Sequence, residues 1–467
     1  MSAVDALRQA DLARQSRALA TGETSAEALA AAYLSAIQDS RARINAYITV
    51  DPERVLADAR ASDARRREGR AGVLEGLAIA VKDNIDVAGY VTTAGMATRR
   101  DRAAAAQDAP AIARLRAAGA VLLGKLNLHE AALGADNDNP HFGACHHPQR
   151  HGYTPGGSSG GAGAAVAAGL CSAAVGTDSM GSVRIPASYC GVYGLKPGHG
   201  VISPRGSVAV ARRLDTIGVL ARAPADLAPL LQTLAGFDAG CAQSDAIAAA
   251  AISRDAPGDD LPSRGQGVGV RERLGVPSFS MLGVEPEVVR AFDQARRCVA
   301  ALGHALVDLP PPDPLPGRVR RAGLLLCEAE MLVEHASDWH ARRALFSPPL
   351  ARLLAWAEQR PAADLAAADR LLDAAQVQMQ RWLSSCDLLL WPTTPQTAFA
   401  FGDPVPDNQA DLTCFANFAG VPALSVPLPV SPGALPIGLQ LIGRRGDEAR
   451  LLVLAGQLAA VFAGQAR

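Results

Sequence analysis

Three residues of this 467-residue sequence have the types that could turn a hydroxyl group into a nucleophile: Lys82, Ser158 and Ser182. A serine hydroxyl is a weak nucleophile and needs a base beside it. Lysine is a base only when it is neutral, which requires a desolvated site that lowers its pKa. The apolar run at 77–81 (LAIAV) offers such a site to Lys82, and one serine could carry a proton between the lysine and the other serine. The sequence therefore predicts a Ser–Ser–Lys relay.

Lysine is rare in this chain, which makes each lysine informative. Only three of the 45 basic residues are lysines, at positions 82, 125 and 196. Arginine cannot be deprotonated in a protein, whereas a buried lysine can act as a neutral base. A lysine kept in an arginine-rich chain therefore favours a role that arginine cannot fill, although packing or chance explains each of the three equally well.

The elements that must position these residues alternate between strand and helix. The run at 77–82 predicts a buried strand that ends at Lys82, and 120–124 and 171–176 predict two more strands. Helices are predicted to begin near Pro110 and at the glycine-rich segment 156–161. This alternation favours an α/β fold with a largely parallel sheet, in which sites gather beyond the carboxyl ends of the strands.

The remaining segments predict a single domain over 1–467. We expect N-terminal helices in 1–70, a catalytic core in 71–225, a variable and mostly helical region in 226–385, and strands with a closing helix in 386–467. Within these parts the sequence predicts the following elements: helices from Ser25 to about Gln38 and over 52–67, a loop or boundary at about 239–267, mostly helix over 284–385, strands at 388–391, 423–426 and 437–441, and a helix at about 447–462. The late strands are expected to rejoin the early sheet.

Composition excludes several classes of protein. With 49% hydrophobic residues and a net charge of −1, the chain is not disordered, and it carries no charge footprint for nucleic acid or an acidic membrane. Its first 25 residues contain no apolar signal-peptide core, and the alanine–glycine stretch 160–176 is too short for a confident membrane span. The eight cysteines lack paired or metal-type spacing, which fits reduced thiols. We therefore expect a cytoplasmic, globular protein.

Two other motifs in the sequence are disfavoured. The segment 156–160 (GGSSG) satisfies the Gly-x-Ser-x-Gly nucleophile elbow formally, but polar residues rather than a strand precede it, and the late histidines lie in or near the helical middle. Cys145, His146, His147 and His151 cluster like metal ligands without any standard zinc spacing. A surface loop explains this cluster better, or a lining of the substrate entrance, and we expect no metal.

Taken together, the motifs between 76 and 200 resemble the amidase signature family of serine hydrolases. They are VKDN at 81–84, GKLN at 124–127, PGGSSGG at 155–161, and GTD at 176–178 with GSVRIP at 181–186. A weaker match follows in WPTTP at 391–395 and a clearer one in NFAGVPA at 417–423. The resemblance covers most of the chain outside about 225–380. It implies an α/β fold with a large mixed sheet covered by helices on both faces.

The resemblance also implies a role for each member of the relay. Ser182 is the acylated nucleophile, and Ser158 is the bridging serine, preceded by a cis peptide after Gly157. Lys82 is the base that also protonates the leaving nitrogen. No metal and no organic cofactor are implied.

The segment around the nucleophile carries the remaining implied roles. The backbone N–H groups of Ser179, Met180 and Gly181, together with that of Ser182, form the oxyanion hole, which binds the transient negative oxygen. Asp178 and Arg184 are expected to brace this segment. The chain departs from the family pattern at Met180, where the family has glycine. Methionine keeps the N–H group, and we expect its side chain to narrow the acyl pocket.

The expected function is hydrolysis of the carbon–nitrogen bond of a small linear amide, with release of ammonia or an amine. We expect the segments 284–385 and about 401–411 to set specificity, and a homodimer stays open. The alternative is the glutaminase subunit of a tRNA-dependent amidotransferase, which normally has an aspartate seven residues before the asparagine of its Asn-x-Ala-Gly motif. Here that position is Ala410, with Asp411 next to it. A non-catalytic binding protein is disfavoured because all three relay residues are present.

Overall fold

The computed structural model describes residues 3–254, 271–278 and 283–465. Its strands form one sheet of eleven. They are β1 (Tyr47–Thr49), β2 (Ala78–Lys82), β3 (Val121–Leu126), β4 (Ala173–Asp178), β5 (Tyr193–Lys196), β6 (Thr216–Ala221), β7 (Arg273–Pro277), β8 (Ala305–Leu309), β9 (Leu388–Pro392), β10 (Ala423–Pro427) and β11 (Gly438–Ile442). The order across the sheet is β1-β3-β2-β4-β6-β5-β10-β11-β9-β7-β8.

Helices account for most of the remaining regular structure. They are α1 (Ala3–Arg8), α2 (Leu12–Ala20), α3 (Ala26–Ile44), α4 (Pro52–Arg67), α5 (Pro110–Ala117), α6 (Gly160–Ala167), α7 (Arg184–Cys190), α8 (Leu227–Leu234), α9 (Ala246–Arg254), α10 (Pro286–Ala301), α11 (Pro316–Glu334), α12 (Ala336–Ala341), α13 (Pro348–Glu358), α14 (Ala362–Ser385), α15 (Cys414–Phe418) and α16 (Glu448–Gln465). None of the helices in the described part of the chain is long and apolar enough to cross a membrane.

The sheet is mixed, as the family resemblance implies, so the expectation of a largely parallel sheet is wrong. Strand β2 is parallel to β3 and β4, and β7 is parallel to β8 and β9, whereas the other six neighbouring pairs are antiparallel. The reason lies in the connections. Parallel neighbours need a crossover, but β5 and β6 are joined by a stretch without a helix and can pair antiparallel.

The local predictions agree with the structure where strong start and stop signals exist. Helix α4 has the predicted bounds, and the Asp51 side chain accepts a hydrogen bond from the Arg54 N–H at its start. Helix α3 starts at the Ser25 cap but continues past Gln38, and ends where Asn45 takes a left-handed φ of 55°. The late strands rejoin the early sheet through the pairing of β10 with β5.

Two parts of the prediction for the middle of the chain need correction. Residues 284–385 are mostly helical, but they also contain β8, which pairs with β7. The expected loop at 239–267 contains helix α9, and residues 255–267 of that prediction lie outside the described residues.

The mixed sheet brings the predicted chemistry to one edge. Because β2 and β4 are parallel neighbours, Lys82 and Asp178 both stand at the carboxyl end of a strand, at the same side of the sheet. All residues of both strands are buried. Helix α6 begins two residues after Ser158, and α7 begins two residues after Ser182. The loops before these helices therefore face the ends of β2 and β4.

Candidate active site

The structure places Lys82 and Ser158 in direct contact. Lys82 Nζ lies 2.7 Å from Ser158 Oγ and 2.9 Å from Thr177 Oγ1, and the amine is fully buried. Burial lowers the pKa of Lys82 to about 7, although the carboxylates of Asp178 and Asp215 act to raise it. A hydroxyl can accept from an ammonium or donate to a neutral amine. This group can therefore hold either form of the lysine near neutral pH.

A backbone hydrogen bond joins the loop of Ser158 to the loop of Ser182. The peptide bond between Gly157 and Ser158 is cis, as the resemblance implies. The next residue, Ser159, donates its N–H to the Ser182 carbonyl at 3.2 Å. Between positions 173 and 190, Ser182 is half-buried and every other residue is buried. The loop of the candidate nucleophile is thus joined to the loop of Ser158, and Ser182 itself stays partly exposed.

Asp178 organises the turn that carries Ser182. Its carboxylate accepts the N–H of Gly181 at 2.7 Å and of Val183 at 3.1 Å, and the Arg184 guanidinium grips both carboxylate oxygens. Burial opposes ionisation of Asp178, but Arg184 and the Asn417 amide outweigh it and hold the pKa of this carboxyl well below its usual range. The bracing role expected of Asp178 and Arg184 is what these contacts provide.

The expected set of oxyanion donors changes at Gly181, because its N–H is already donated to Asp178. Among the described residues, no acceptor takes the N–H of Ser179, Met180 or Ser182. Gly181 is instead required by shape: its φ is 133°, and a Cβ there would collide with Thr413 Oγ1. The Thr413 hydroxyl donates to the Met180 carbonyl at 2.6 Å and so holds the segment 179–182 in place.

The Met180 side chain is buried between the nucleophile segment and helix α11. Its Cε lies 3.3 Å from where a Cβ would stand at Gly323, and Phe418 packs against the same glycine. The backbone of Met180 is outside the left-handed region, so the methionine is tolerated without strain. The predicted narrowing of an acyl pocket stays a prediction.

Comparison with known proteins agrees with this geometry. The family model named Amidase matches residues 28–452. The chain belongs to the amidase signature family. Enzymes of this family hydrolyse the carbon–nitrogen bond of amides, and the mixed eleven-stranded sheet with its helices is their fold.

Three relatives show how far the similarity extends. The chain is 37% identical to a Glutamyl-tRNA(Gln) amidotransferase subunit of Thiobacillus denitrificans, over 96% of each sequence. It is 32% identical to a chain from a structure of a vestigial protein complex that reveals the evolutionary origins of an s-triazine catabolic enzyme. That match has a TM-score of 0.87 and covers 97% of this chain and 98% of the other. It is 28% identical to the peptide amidase of Stenotrophomonas maltophilia, with a TM-score of 0.82 over 97% of each chain.

The other two lysines of this amidase family member are buried away from the serines. Lys125 Nζ pairs with Asp83 Oδ1 at 2.7 Å, and Lys196 Nζ donates to the Val421 carbonyl at 2.6 Å. Burial also lowers the pKa of Lys196 to about 7. Lys82 and Lys196 thus both have a lowered pKa, and contact with a serine side chain distinguishes Lys82.

The structure does not assemble the cysteine–histidine cluster into a metal site. Cys145 is buried, His147 Nε2 lies 2.8 Å from the Tyr189 carbonyl, and His151 Nδ1 lies 2.8 Å from a backbone carbonyl of α3. The His146 ring stacks on His151. Within 3–254, 271–278 and 283–465, no group of three or more His, Cys, Asp or Glu side chains is placed to hold a metal ion.

Sequence reasoning missed three polar residues close to Lys82 or to the nucleophile segment. Thr177 and Asn84 belong to the motifs GTD and VKDN, and Asn84 Nδ2 donates to Thr177 Oγ1 at 3.1 Å. Their place in those motifs was a usable signal. Asp215 was missed because nothing in its spacing connects it to the serines, and only the pairing of β4 with β6 brings it close.

Proposed function

We propose that this enzyme hydrolyses a small linear amide through an acyl-enzyme on Ser182, with Ser158 as the proton relay and Lys82 as the base. The observation that carries the proposal is the 2.7 Å contact between the buried Lys82 Nζ and Ser158 Oγ, in a loop that a backbone hydrogen bond joins to the loop of the partly exposed Ser182. A pKa of about 7 leaves roughly half of the lysine neutral at pH 7, where an ordinary lysine would be almost wholly charged.

In the acylation step, Ser182 Oγ attacks the amide carbonyl carbon and a carbon–oxygen bond forms. The Ser182 proton passes to Ser158 Oγ, while the Ser158 proton passes to Lys82 Nζ. The proton then returns from the ammonium through Ser158 to the amide nitrogen. The carbon–nitrogen bond breaks, and ammonia or an amine leaves.

The carbonyl oxygen becomes negatively charged in the tetrahedral intermediate, and backbone N–H groups would stabilise it. We assign this role to Ser179, Met180 and Ser182, whose N–H groups lack acceptors in the described chain. Removal of a single donor of this kind typically costs about 10²–10³ in rate. Water then attacks the acyl group, its proton follows the same relay, and the carboxylic acid leaves Ser182.

The acyl side of the pocket is proposed to lie between the nucleophile segment, helix α11 and residues 401–411. Met180 contacts α11 at Gly323. Arg320, also on α11, donates to Asp411 at 2.6 Å and so ties the helix to the second segment. Both segments are those from which the sequence predicts specificity. The proposed setting is the cytoplasm, with a small molecule as the partner.

A glutaminase subunit is the second candidate, supported by the 37% identity to the Glutamyl-tRNA(Gln) amidotransferase relative. Against it, Ala410 occupies the position where a glutaminase subunit normally has an aspartate, and the neighbouring Asp411 is already paired with Arg320. This candidate predicts glutamine as substrate and further subunits in a stable complex.

The test is ammonia or amine release from a panel of aliphatic, aromatic and amino-acid amides and carboxylated ureas. The Ser182→Ala variant is the control in each reaction. We expect release from one class of amide, lost in Ser182→Ala. Activity with glutamine alone would favour the glutaminase candidate, and release that persists in Ser182→Ala would overturn the proposal.

A further inference from the structure

A buried carboxylate stands directly opposite the start of the proposed oxyanion segment. In the antiparallel pair of β4 and β6, Asp178 faces Thr216, so the residues that follow and precede them, Ser179 and Asp215, also face each other. Ser179 Oγ donates to Asp215 Oδ1 at 2.5 Å. Asp215 is 8% exposed. Among the described residues, it forms no ion pair with an Arg, Lys or His side chain.

Hydrogen-bond donors surround this carboxylate from two sides. The N–H of Val210 donates to Oδ2 at 2.9 Å, and the N–H of Ala211 lies 3.2 Å from both oxygens. Burial raises the pKa of Asp215 to about 6, while the Ser179 hydroxyl and the two N–H groups counteract the increase. A carboxylate is well suited to this position because it accepts from every donor and presents none of its own.

The three donors of the proposed oxyanion hole need a fixed backbone, because misplacement by 1 Å can cost about 100-fold in rate. Two contacts hold the later part of this segment: Asp178 accepts the N–H of Gly181, and Thr413 donates to the Met180 carbonyl. Ser179 begins the segment, and the hydrogen bond from its hydroxyl to Asp215 attaches that end.

We propose that Asp215 is a positioning residue: by accepting the Ser179 hydroxyl it fixes the first N–H groups of the oxyanion segment in the orientation that stabilises the intermediate. This inference rests on the proposed function. It assigns Asp215 to the segment that stabilises the transition state, in addition to its charge effect on Lys82, so its loss affects turnover more than substrate binding.

Three variants test the inference in the ammonia-release assay: Ser179→Ala, Asp215→Asn and the double variant. We expect each single variant to lower kcat about 10- to 100-fold, with KM changed by less than about 3-fold. The double variant should be no slower than the worse single variant, because both remove the same hydrogen bond. Ser179→Thr, which keeps the hydroxyl, should retain kcat within about 3-fold.

Asp238→Asn is the matched control. Asp238 is equally buried and accepts a serine hydroxyl, that of Ser203 at 2.7 Å, in a segment outside the site. Its kcat should stay within about 2-fold of wild type. The inference is overturned if Ser179→Ala keeps kcat within about 3-fold, or if the losses of the two single variants multiply in the double variant. Retained activity in Ser182→Ala would instead refute the proposed function.

Discussion

Replacement of Lys82 by methionine should abolish amide hydrolysis and, at the same time, stabilise the protein. In the folded chain burial lowers the pKa of Lys82 to about 7, whereas in the unfolded chain it is near 10.5. At pH 7 the unfolded state therefore binds this proton more tightly, and the difference amounts to about 4 kcal/mol of lost stability. Methionine has a similar shape and carries no charge, so it removes this cost.

The net gain is smaller because the methionine cannot hydrogen-bond. The hydroxyls of Ser158 and Thr177 lose their contact with Nζ, at about 1 kcal/mol each. The variant should thus gain about 2 kcal/mol in the free energy of unfolding at pH 7. The unfolded lysine binds more protons between pH 7 and 10.5, so wild-type stability rises through that window. The advantage of the variant should therefore fall by about 2 kcal/mol at pH 9.

Urea denaturation at pH 7 and pH 9, combined with ammonia release, measures both effects. Lys125→Met is the matched control: it also removes a fully buried lysine, but it leaves Asp83 as an unpaired buried charge and should destabilise by about 3–5 kcal/mol. If Lys82→Met destabilises as Lys125→Met does, burial does not lower the pKa of Lys82 as inferred. If Lys82→Met keeps amide turnover near the wild-type rate, Lys82 is not the base.

Three further predictions follow from single contacts. Met180→Gly removes the side chain packed on α11 and should shift kcat/KM at least about 10-fold toward amides with bulkier acyl groups; an unchanged preference across the amide panel would contradict the assignment of this pocket. Asp178→Asn leaves the Arg184 charge without its partner and should lower kcat more than about 100-fold and stability by about 3–5 kcal/mol, measured by turnover and urea melts. His335 is buried with both ring nitrogens unpaired in the described chain, and burial, helped by nearby Arg99, lowers its pKa to about 4. The free energy of unfolding of the wild type should therefore fall by about 2 kcal/mol between pH 7 and pH 5, because the unfolded state takes up the proton. His335→Leu, measured by the same urea melts, should lack this contribution of about 2 kcal/mol to the fall.

Residue types and local signals were enough to predict many elements and to propose the relay. Lys82 could be placed at a strand end because five apolar residues precede it, and α4 because an aspartate cap and a proline mark its start. The proposal of a relay follows from the chemistry that a serine nucleophile requires, and the contact between Lys82 and Ser158 agrees with it.

Features that depend on pairing between distant segments were not accessible in the same way. Strand direction is set by which strands become neighbours, so the sheet is mixed although strand and helix alternate. The N–H of Gly181 is used by Asp178, a contact that only the folded turn creates. Asp215 reaches Ser179 solely through the pairing of β4 with β6.

The most direct measurement of the central claim is the site of covalent labelling by a fluorophosphonate, which reacts with activated serines. Peptide mapping by mass spectrometry, with Ser182→Ala and Lys82→Met labelled in parallel, identifies the modified residue. We predict one adduct, on Ser182, that is absent from Ser182→Ala and strongly slowed in Lys82→Met. An adduct on Ser158, or labelling that survives in Ser182→Ala, would contradict the assignment of Ser182 as the nucleophile.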